Sequence, residues 1–160
     1  MNTSELYKIF LNYSTICTDS RKIEKDSIFF SLKGDNFNGN KFAKQAIKDG
    51  CKYAIIDEKE YLSENCILVE DVLKSLQSLS SYHRETLNIP LIGITGTNGK
   101  TTTKELIHST LSSKYNCYST KGNLNNHIGV PLSLLEITDK TEIAVIEMGA
   151  NHIGEIDFLC

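Results

Sequence analysis

The stretch LIGITGTNGKTTTKEL, residues 91–106, decides how this chain is read. An apolar run with two β-branched residues, Leu91, Ile92 and Ile94, enters a glycine-spaced loop and leaves it into a helical pattern that opens with Lys100 and three threonines. Glycine lets backbone approach an anion closely and adopt positive φ, and the N–H groups at a helix N-terminus attract phosphate. Gly99-Lys100-Thr101 ends the loop as phosphate-binding loops end. The common pattern G-x-x-x-x-G-K-[ST], however, calls for glycine where this chain has Ile94, and the glycines fall instead at Gly93 and Gly96. A helix terminus stabilises an exposed anion by only about 0.3–1 kcal/mol, against about 8 kcal/mol for micromolar nucleotide binding. More charge is therefore needed. Lys100 supplies a cation for the phosphates, the Thr101 hydroxyl a Mg²⁺ ligand, and Gly96, Thr97, Asn98, Gly99, Lys100, Thr101 and Thr102 the cradle. The plain alternative is a strand-to-helix turn carrying an exposed lysine.

Working outward, the same alternation recurs. After the loop, residues 100–113 read as a helix, 116–120 as a strand, 128–137 as containing a helix with Pro131 in its first turn, and 143–148 as a strand. Before it, residues 27–32, 52–57 and 66–70 read as strands. NKFAKQAIKDG (residues 40–50) reads as a helix ending at Gly50, and residues 71–86 as a longer helix closed by Pro90. Strands alternating with helices imply an α/β fold with mostly parallel sheets. The expected organisation is a small amino-terminal α/β domain, residues 1–86, followed by the first part of a P-loop, parallel-sheet domain, residues 87–160. Three strands with residues 153–160 as a last partial helix make an unfinished parallel sheet, so a piece of a longer protein is expected.

Composition sets outer limits. The chain has 160 residues, a net charge of -3 and 40% hydrophobic residues, ordinary for a globular protein, and no basic stripe for nucleic acid. Five cysteines without a C-x-x-C pair point to reduced thiols. No h-region opens the chain and no long apolar run spans it, so a cytoplasmic protein without a membrane partner is expected.

Two further clusters carry chemistry. AVIEMGANHIGEI, residues 144–156, puts Glu147 at the carboxyl end of an apolar strand, where open α/β sheets bind ligands and where a carboxylate can complete a Mg²⁺ shell; a structural charge is the alternative. STKGNLNNHIGVPL, residues 119–132, has three asparagines and two glycines after a strand and reads, on its residues alone, as a turn, with His127 a surface residue beside it.

Together these runs resemble the Mur ligases, ATP-dependent amide-forming enzymes of peptidoglycan synthesis, whose loop has the form G-T-x-G-K-[ST]-[ST]. GTNGKTT matches that variant, so Ile94 is not a lost glycine. The run from Thr120 to Leu132 and the run EMGANHIGEI are similar to the MurF type. TDSRKIEKDSIFFSLKGDNFNGNKF, residues 18–42, is similar to a block shared by the MurE and MurF types, with Asn38 and Asn40 in place of the usual aspartate and histidine. The resemblance covers residues 18–160. It implies ATP and Mg²⁺ as cofactors, with Lys100 at the phosphates and Thr101 and Glu147 at the metal, Lys100 and Glu147 serving catalysis. It also implies an amino-terminal domain that holds the UDP end of the substrate near Ser20 and Arg21. Thr120, Asn125, Asn126 and His152 fall in the substrate neighbourhood, His152 as either a ligand contact or a structural hydrogen bond. The implied activity joins D-alanyl-D-alanine to UDP-N-acetylmuramoyl-tripeptide through an acyl phosphate, and nothing indicates an oligomeric state. The alternatives are a MurE-type ligase that adds the third amino acid and a nucleotide-binding module without chemistry. Members of the family continue into further domains, so this chain alone is expected to be inactive.

Overall fold

A computed structural model describes residues 1–150 and 154–159. The chain divides into two compact units, Met1–Tyr82 and His83–Cys160, with the division inside one helix.

The first unit opens with α1 (Thr3–Asn12), a helix not expected from the sequence. Asn2 accepts from the Glu5 N–H at 2.8 Å and the Glu5 carboxylate accepts from the Asn2 N–H at 2.9 Å, a reciprocal cap that starts the helix, while Leu6 and Phe10, one turn apart, bury its inner face. Four short strands, β1 (Ile16–Cys17), β2 (Ile28–Phe30), β5 (Tyr53–Ile56) and β6 (Cys66–Leu68), form a parallel sheet in the order β1-β2-β5-β6. All three residues of β2 are fully buried, as a central parallel strand covered on both faces requires. Between β2 and β5 lie an antiparallel hairpin, β3 (Lys33–Gly34) with β4 (Phe37–Asn38), a 3₁₀ turn at Gly39–Phe42, and α2 (Ala43–Lys48). A 3₁₀ turn at Lys59–Tyr61 precedes β6, and α3 (Val72–Thr86) follows it. Ala43 and Ala46 on α2 pack with Cys17, Phe29, Cys51, Ala54 and Ile56 in one core cluster. The strands expected at 27–32, 52–57 and 66–70 are shorter, at Ile28–Phe30, Tyr53–Ile56 and Cys66–Leu68, the first because the chain turns at Leu32 into the hairpin.

The second unit contains β7 (Leu91–Ile94), α4 (Lys100–Ser112), β8 (Cys117–Ser119), α5 (Gly129–Leu135), β9 (Ile143–Glu147) and α6 (Glu155–Leu159). Its strands are parallel in the order β7-β9-β8, so the last strand in the chain lies between the first two. Ala144, Val145, Ile146 and Glu147 on this central strand are all buried. Ala144 and Ile146 join Val130, Ile137 and Met148 in a core against which Leu91, Leu134, Ile156 and Leu159 pack. Among the described residues no helix is long and apolar enough to cross a membrane, and Cys17, Cys51, Cys66 and Cys117 are free thiols.

Candidate functional site

The site is built where β7 and β9 end side by side. Their parallel register sets Ile94, the last residue before the loop, opposite Glu147, and the Met148 N–H donates to the Ile94 carbonyl at 2.8 Å. Residues 95–99 form the exposed loop from β7 to α4. Gly96 (φ 149°) and Gly99 (φ 74°) take backbone conformations that a side chain rarely adopts, which lets the loop turn directly into the helix. Gly99 stands at the N-cap of α4 and brings no side chain to cap it, and the first turn holds no acidic residue. The first-turn N–H groups are thus left without the side-chain acceptor that a helix N-terminus usually recruits, and they carry the positive end of a thirteen-residue helix. The Lys100 ammonium folds back over the same loop and donates to the Gly96 carbonyl at 2.7 Å. Thr97, Asn98, Thr101 and Thr102 are exposed around it. Cation, uncapped amides and hydroxyls therefore share one turn, a chemistry suited to phosphate.

Glu147 is the opposite kind of group. Its side chain is 1% exposed, its Oε1 accepts from Asn125 Nδ2 at 2.8 Å, and its Oε2 is buried with no hydrogen-bond partner. A buried acceptor left unmade costs about 1–3 kcal/mol, more when charged, so this oxygen lacks a compensating cation or donor. The backbone around it is tied down from the segment after β8. The Glu147 N–H donates to Thr120 Oγ1 at 2.9 Å, the Thr120 N–H to the Val145 carbonyl at 3.0 Å, and the Gly149 N–H to the Asn125 carbonyl at 2.7 Å.

Thus Thr120, Asn125 and Glu147 form one hydrogen-bonded group beside the loop of Gly96 to Thr102. Asn126 does other work: its Oδ1 accepts from the Ile128 and Gly129 N–H groups at 3.1 and 2.8 Å and so caps the start of α5. Ser20 and Arg21 lie in the first unit, in the loop after β1. Arg21 is spread over Asp19, donating from Nε and Nη2 at 2.8 Å each, and this pairing lowers the Asp19 carboxyl to about 2. His152 lies outside the described residues. Asn38 and Asn40 are both engaged: Asn40 Nδ2 donates to Asn38 Oδ1 and Asp57 Oδ1, and Asn38 Nδ2 to Glu58 Oε2.

One polar residue of the site escapes the sequence reading. Lys104 sits inside α4 at 1% exposure, and its ammonium donates to the Thr120 carbonyl at 2.6 Å and pairs with Glu105 at 2.9 Å, holding the exposed Glu105 carboxyl below its ordinary range. The signal is its register. Lys104, Ile107, His108 and Leu111 fall at helical spacing on one stripe, so the lysine occupies a position facing the sheet. His108 on the same stripe bonds the Cys117 carbonyl at 3.2 Å.

A family model described as "Mur ligase family, catalytic domain" matches residues 12–106, and a second, "Mur ligase middle domain", matches residues 94–160. The chain belongs to the Mur ligase family. Among the relatives of this Mur ligase chain is the UDP-N-acetylmuramoyl-tripeptide--D-alanyl-D-alanine ligase of Bacillus subtilis, 45% identical over 147 residues, which cover 90% of this chain and 32% of the relative. A crystal structure of MurF from Acinetobacter baumannii superposes with a TM-score of 0.84 at 40% identity, covering 91% of this chain and 32% of that one. MurF ligase from Thermotoga maritima in complex with ADP gives a TM-score of 0.83 at 33% identity, covering 94% and 35%. The chain thus spans about a third of the length of the curated relatives it matches.

The residues present fit a Mg²⁺ ion. Mg²⁺ takes oxygen ligands and is bound by one or two carboxylates completed by phosphates and water, and the unpartnered Oε2 of Glu147 is a ligand of that kind. Among the described residues no three His, Cys, Asp or Glu side chains gather into a metal cage.

Proposed function

We propose that this chain carries the nucleotide-binding part of an ATP-dependent ligase that joins D-alanyl-D-alanine to UDP-N-acetylmuramoyl-tripeptide in the cytoplasm. The observation that carries the reading is the pairing of two opposite deficits in β7-β9 register: an uncapped, cationic loop that lacks an anion, and a buried carboxylate oxygen that lacks a cation. MgATP fills both.

In this reading, residues 96–102 bind the phosphates through backbone N–H groups, and the Lys100 ammonium leaves the Gly96 carbonyl to pair with them. Glu147 and Thr101 hold Mg²⁺, which when bound neutralises phosphate charge. The chemical difficulty is that a substrate carboxylate must meet a γ-phosphate of like charge. Catalysis therefore rests on positioning and on cations already in place before the charge shifts. The carboxylate of the tripeptide displaces ADP from the γ-phosphorus to give an acyl phosphate; the amine of D-alanyl-D-alanine then attacks the acyl carbon and phosphate leaves. The amino-terminal domain, residues 1–86 by the sequence reading, holds the UDP end with Ser20 and Arg21 near it, and Thr120 and Asn125 face the reacting end through their hold on Glu147. Residues 87–160 begin the ATP-binding domain. A polypeptide of residues 1–160 alone, spanning about a third of the length of the relatives, is expected to bind nucleotide without turnover.

Isothermal titration with ADP in the presence of Mg²⁺ tests the binding step: micromolar affinity is expected, with a loss of about 100-fold in Lys100→Ala, as removal of a charge-assisted pair of a few kcal/mol implies. Binding that ignores this substitution overturns the reading. ADP release in the presence of UDP-tripeptide and D-alanyl-D-alanine should stay at background for the chain alone.

A further inference from the structure

We infer that Lys104 is a positioning residue that sets the metal-side carboxylate: its buried ammonium grips the Thr120 carbonyl, and Thr120 in turn fixes the backbone of Glu147. The inference rests on the reading that Glu147 holds Mg²⁺.

Burying an ammonium is expensive, several kcal/mol per ion after relaxation, and Lys104 receives little in return. Of its contacts, Glu105 is a carboxylate at 60% exposure, well screened by water, and the other is a single neutral carbonyl. The neighbours on its helical stripe, Ile107 and Leu111, show that an apolar residue would suit the position as packing. What the charge holds is therefore the point of interest.

Thr120 is clamped by three bonds from three directions: its carbonyl accepts from Lys104 at 2.6 Å, its N–H donates to Val145 at 3.0 Å, and its hydroxyl accepts from the Glu147 N–H at 2.9 Å. It lies just past the end of β8, an edge strand of three residues, at the start of the glycine- and asparagine-rich segment that delivers Asn125 to the Glu147 carboxylate. Lys104 is also one helical turn after Lys100 on α4. The lysine therefore ties the helix that carries the phosphate loop to the segment that orients the carboxylate, so that cation site and anion site move as one body. Groups that orient a metal ligand without touching the metal typically change its affinity by 10–100-fold when removed.

The test compares ADP binding with Mg²⁺ and with EDTA for the wild-type chain, Lys104→Met, Lys104→Arg and Thr120→Val. Wild type is expected to bind ADP more tightly with Mg²⁺. In Lys104→Met that Mg²⁺-dependent gain should shrink by about tenfold or more while Mg²⁺-free binding stays within about threefold, because the loop and Lys100 are intact. Lys104→Arg should recover part of the gain. Thr120→Val keeps the carbonyl that Lys104 grips but removes the hydroxyl, and should show the same selective loss, which tests the second link; Lys104→Arg, which keeps the charge but changes the reach, tests the first if Lys104→Met does not fold. A Mg²⁺-dependent gain unchanged in both variants, or an equal loss with and without Mg²⁺, overturns the inference. A wild-type chain that binds ADP equally with and without Mg²⁺ overturns the metal reading of Glu147 itself.

Discussion

Replacing Glu147 by Gln separates a functional carboxylate from a structural one. The substitution is close to isosteric: the amide oxygen can take over the Oε1 bond from Asn125 Nδ2, now 2.8 Å, and the NH₂ group falls where Oε2 is buried without a partner. In the unliganded chain a buried, half-satisfied carboxylate is exchanged for a buried, half-satisfied amide. A neutral group costs less to bury than an ion, and an unmade bond costs about 1–3 kcal/mol in either case, more for a charged group. The unliganded variant should therefore be as stable as wild type or more stable by about 1 kcal/mol, an increase of roughly 4–8 °C in Tm for a unit the size of His83–Cys160. With ligand the order reverses. At a concentration about 100 times Kd, MgADP stabilises the wild type by about 2.7 kcal/mol, and this shift should fall to the metal-free value in Glu147→Gln. Thermal melts with ADP, with and without Mg²⁺, read both quantities in one series. A variant that melts several degrees lower without ligand and keeps the full Mg²⁺-dependent shift would refute the reasoning, since Glu147 would then be a structural charge at a strand end.

Other consequences can be checked separately. Gly99→Ala places a side chain at φ 74° with nothing within 4 Å of the new Cβ, so the penalty is backbone strain of about 1–2 kcal/mol, seen as a lower Tm and weaker ADP binding. Arg21→Ala should return the Asp19 carboxyl from about 2 to the ordinary carboxylate range, measurable by NMR titration of the Asp19 side chain. Asp19 is held low in the folded state, so the stability it contributes is present above its unfolded pKa and disappears as pH falls toward 2; acid melts of Arg21→Ala should lose that dependence. His83, buried and bonded through Nε2 to the Ile137 carbonyl at 2.9 Å, is pushed below its ordinary value by desolvation. The unfolded chain then binds the extra proton first, so stability should decline as pH drops below about 6.5, and a histidine NMR titration should show one ring titrating late.

What the sequence made legible was the alternation of apolar runs with helical stripes. That is enough for the parallel units, for the loop between β7 and α4, and for Glu147 at the end of a buried strand. What stayed hidden has specific causes. The α1 helix announces itself by Asn2 and Glu5 at capping-box spacing and by Leu6 and Phe10 one turn apart, but the polar residues between them, which only mark its outer face, read as interruptions. The strand β1 and the hairpin β3-β4 have two residues per strand, too short for any period. Asn125 and Asn126, adjacent and alike, part company only in three dimensions, one reaching a carboxylate and the other capping a helix. Lys104 was legible in principle, as a charge on an apolar stripe, once the stripe is taken as strictly as the residues that keep to it.

The strand order β7-β9-β8 carries a consequence for how the second unit is made. Neither β7 nor β8 can find its neighbour in the sheet until β9 arrives, because each pairs with β9 and not with the other. Leu91 waits for Ala144; at a ribosomal pace of about 5–20 residues per second the phosphate loop is outside the ribosome roughly 3–10 s before its strand has a partner. Glu147 is the last residue of that late strand, so the loop of Gly96 to Thr102 is synthesised well before its acidic counterpart, which takes its place only when β9 pairs with β7. On the proposed reading, nucleotide present during synthesis meets only half of its site until β9 has paired.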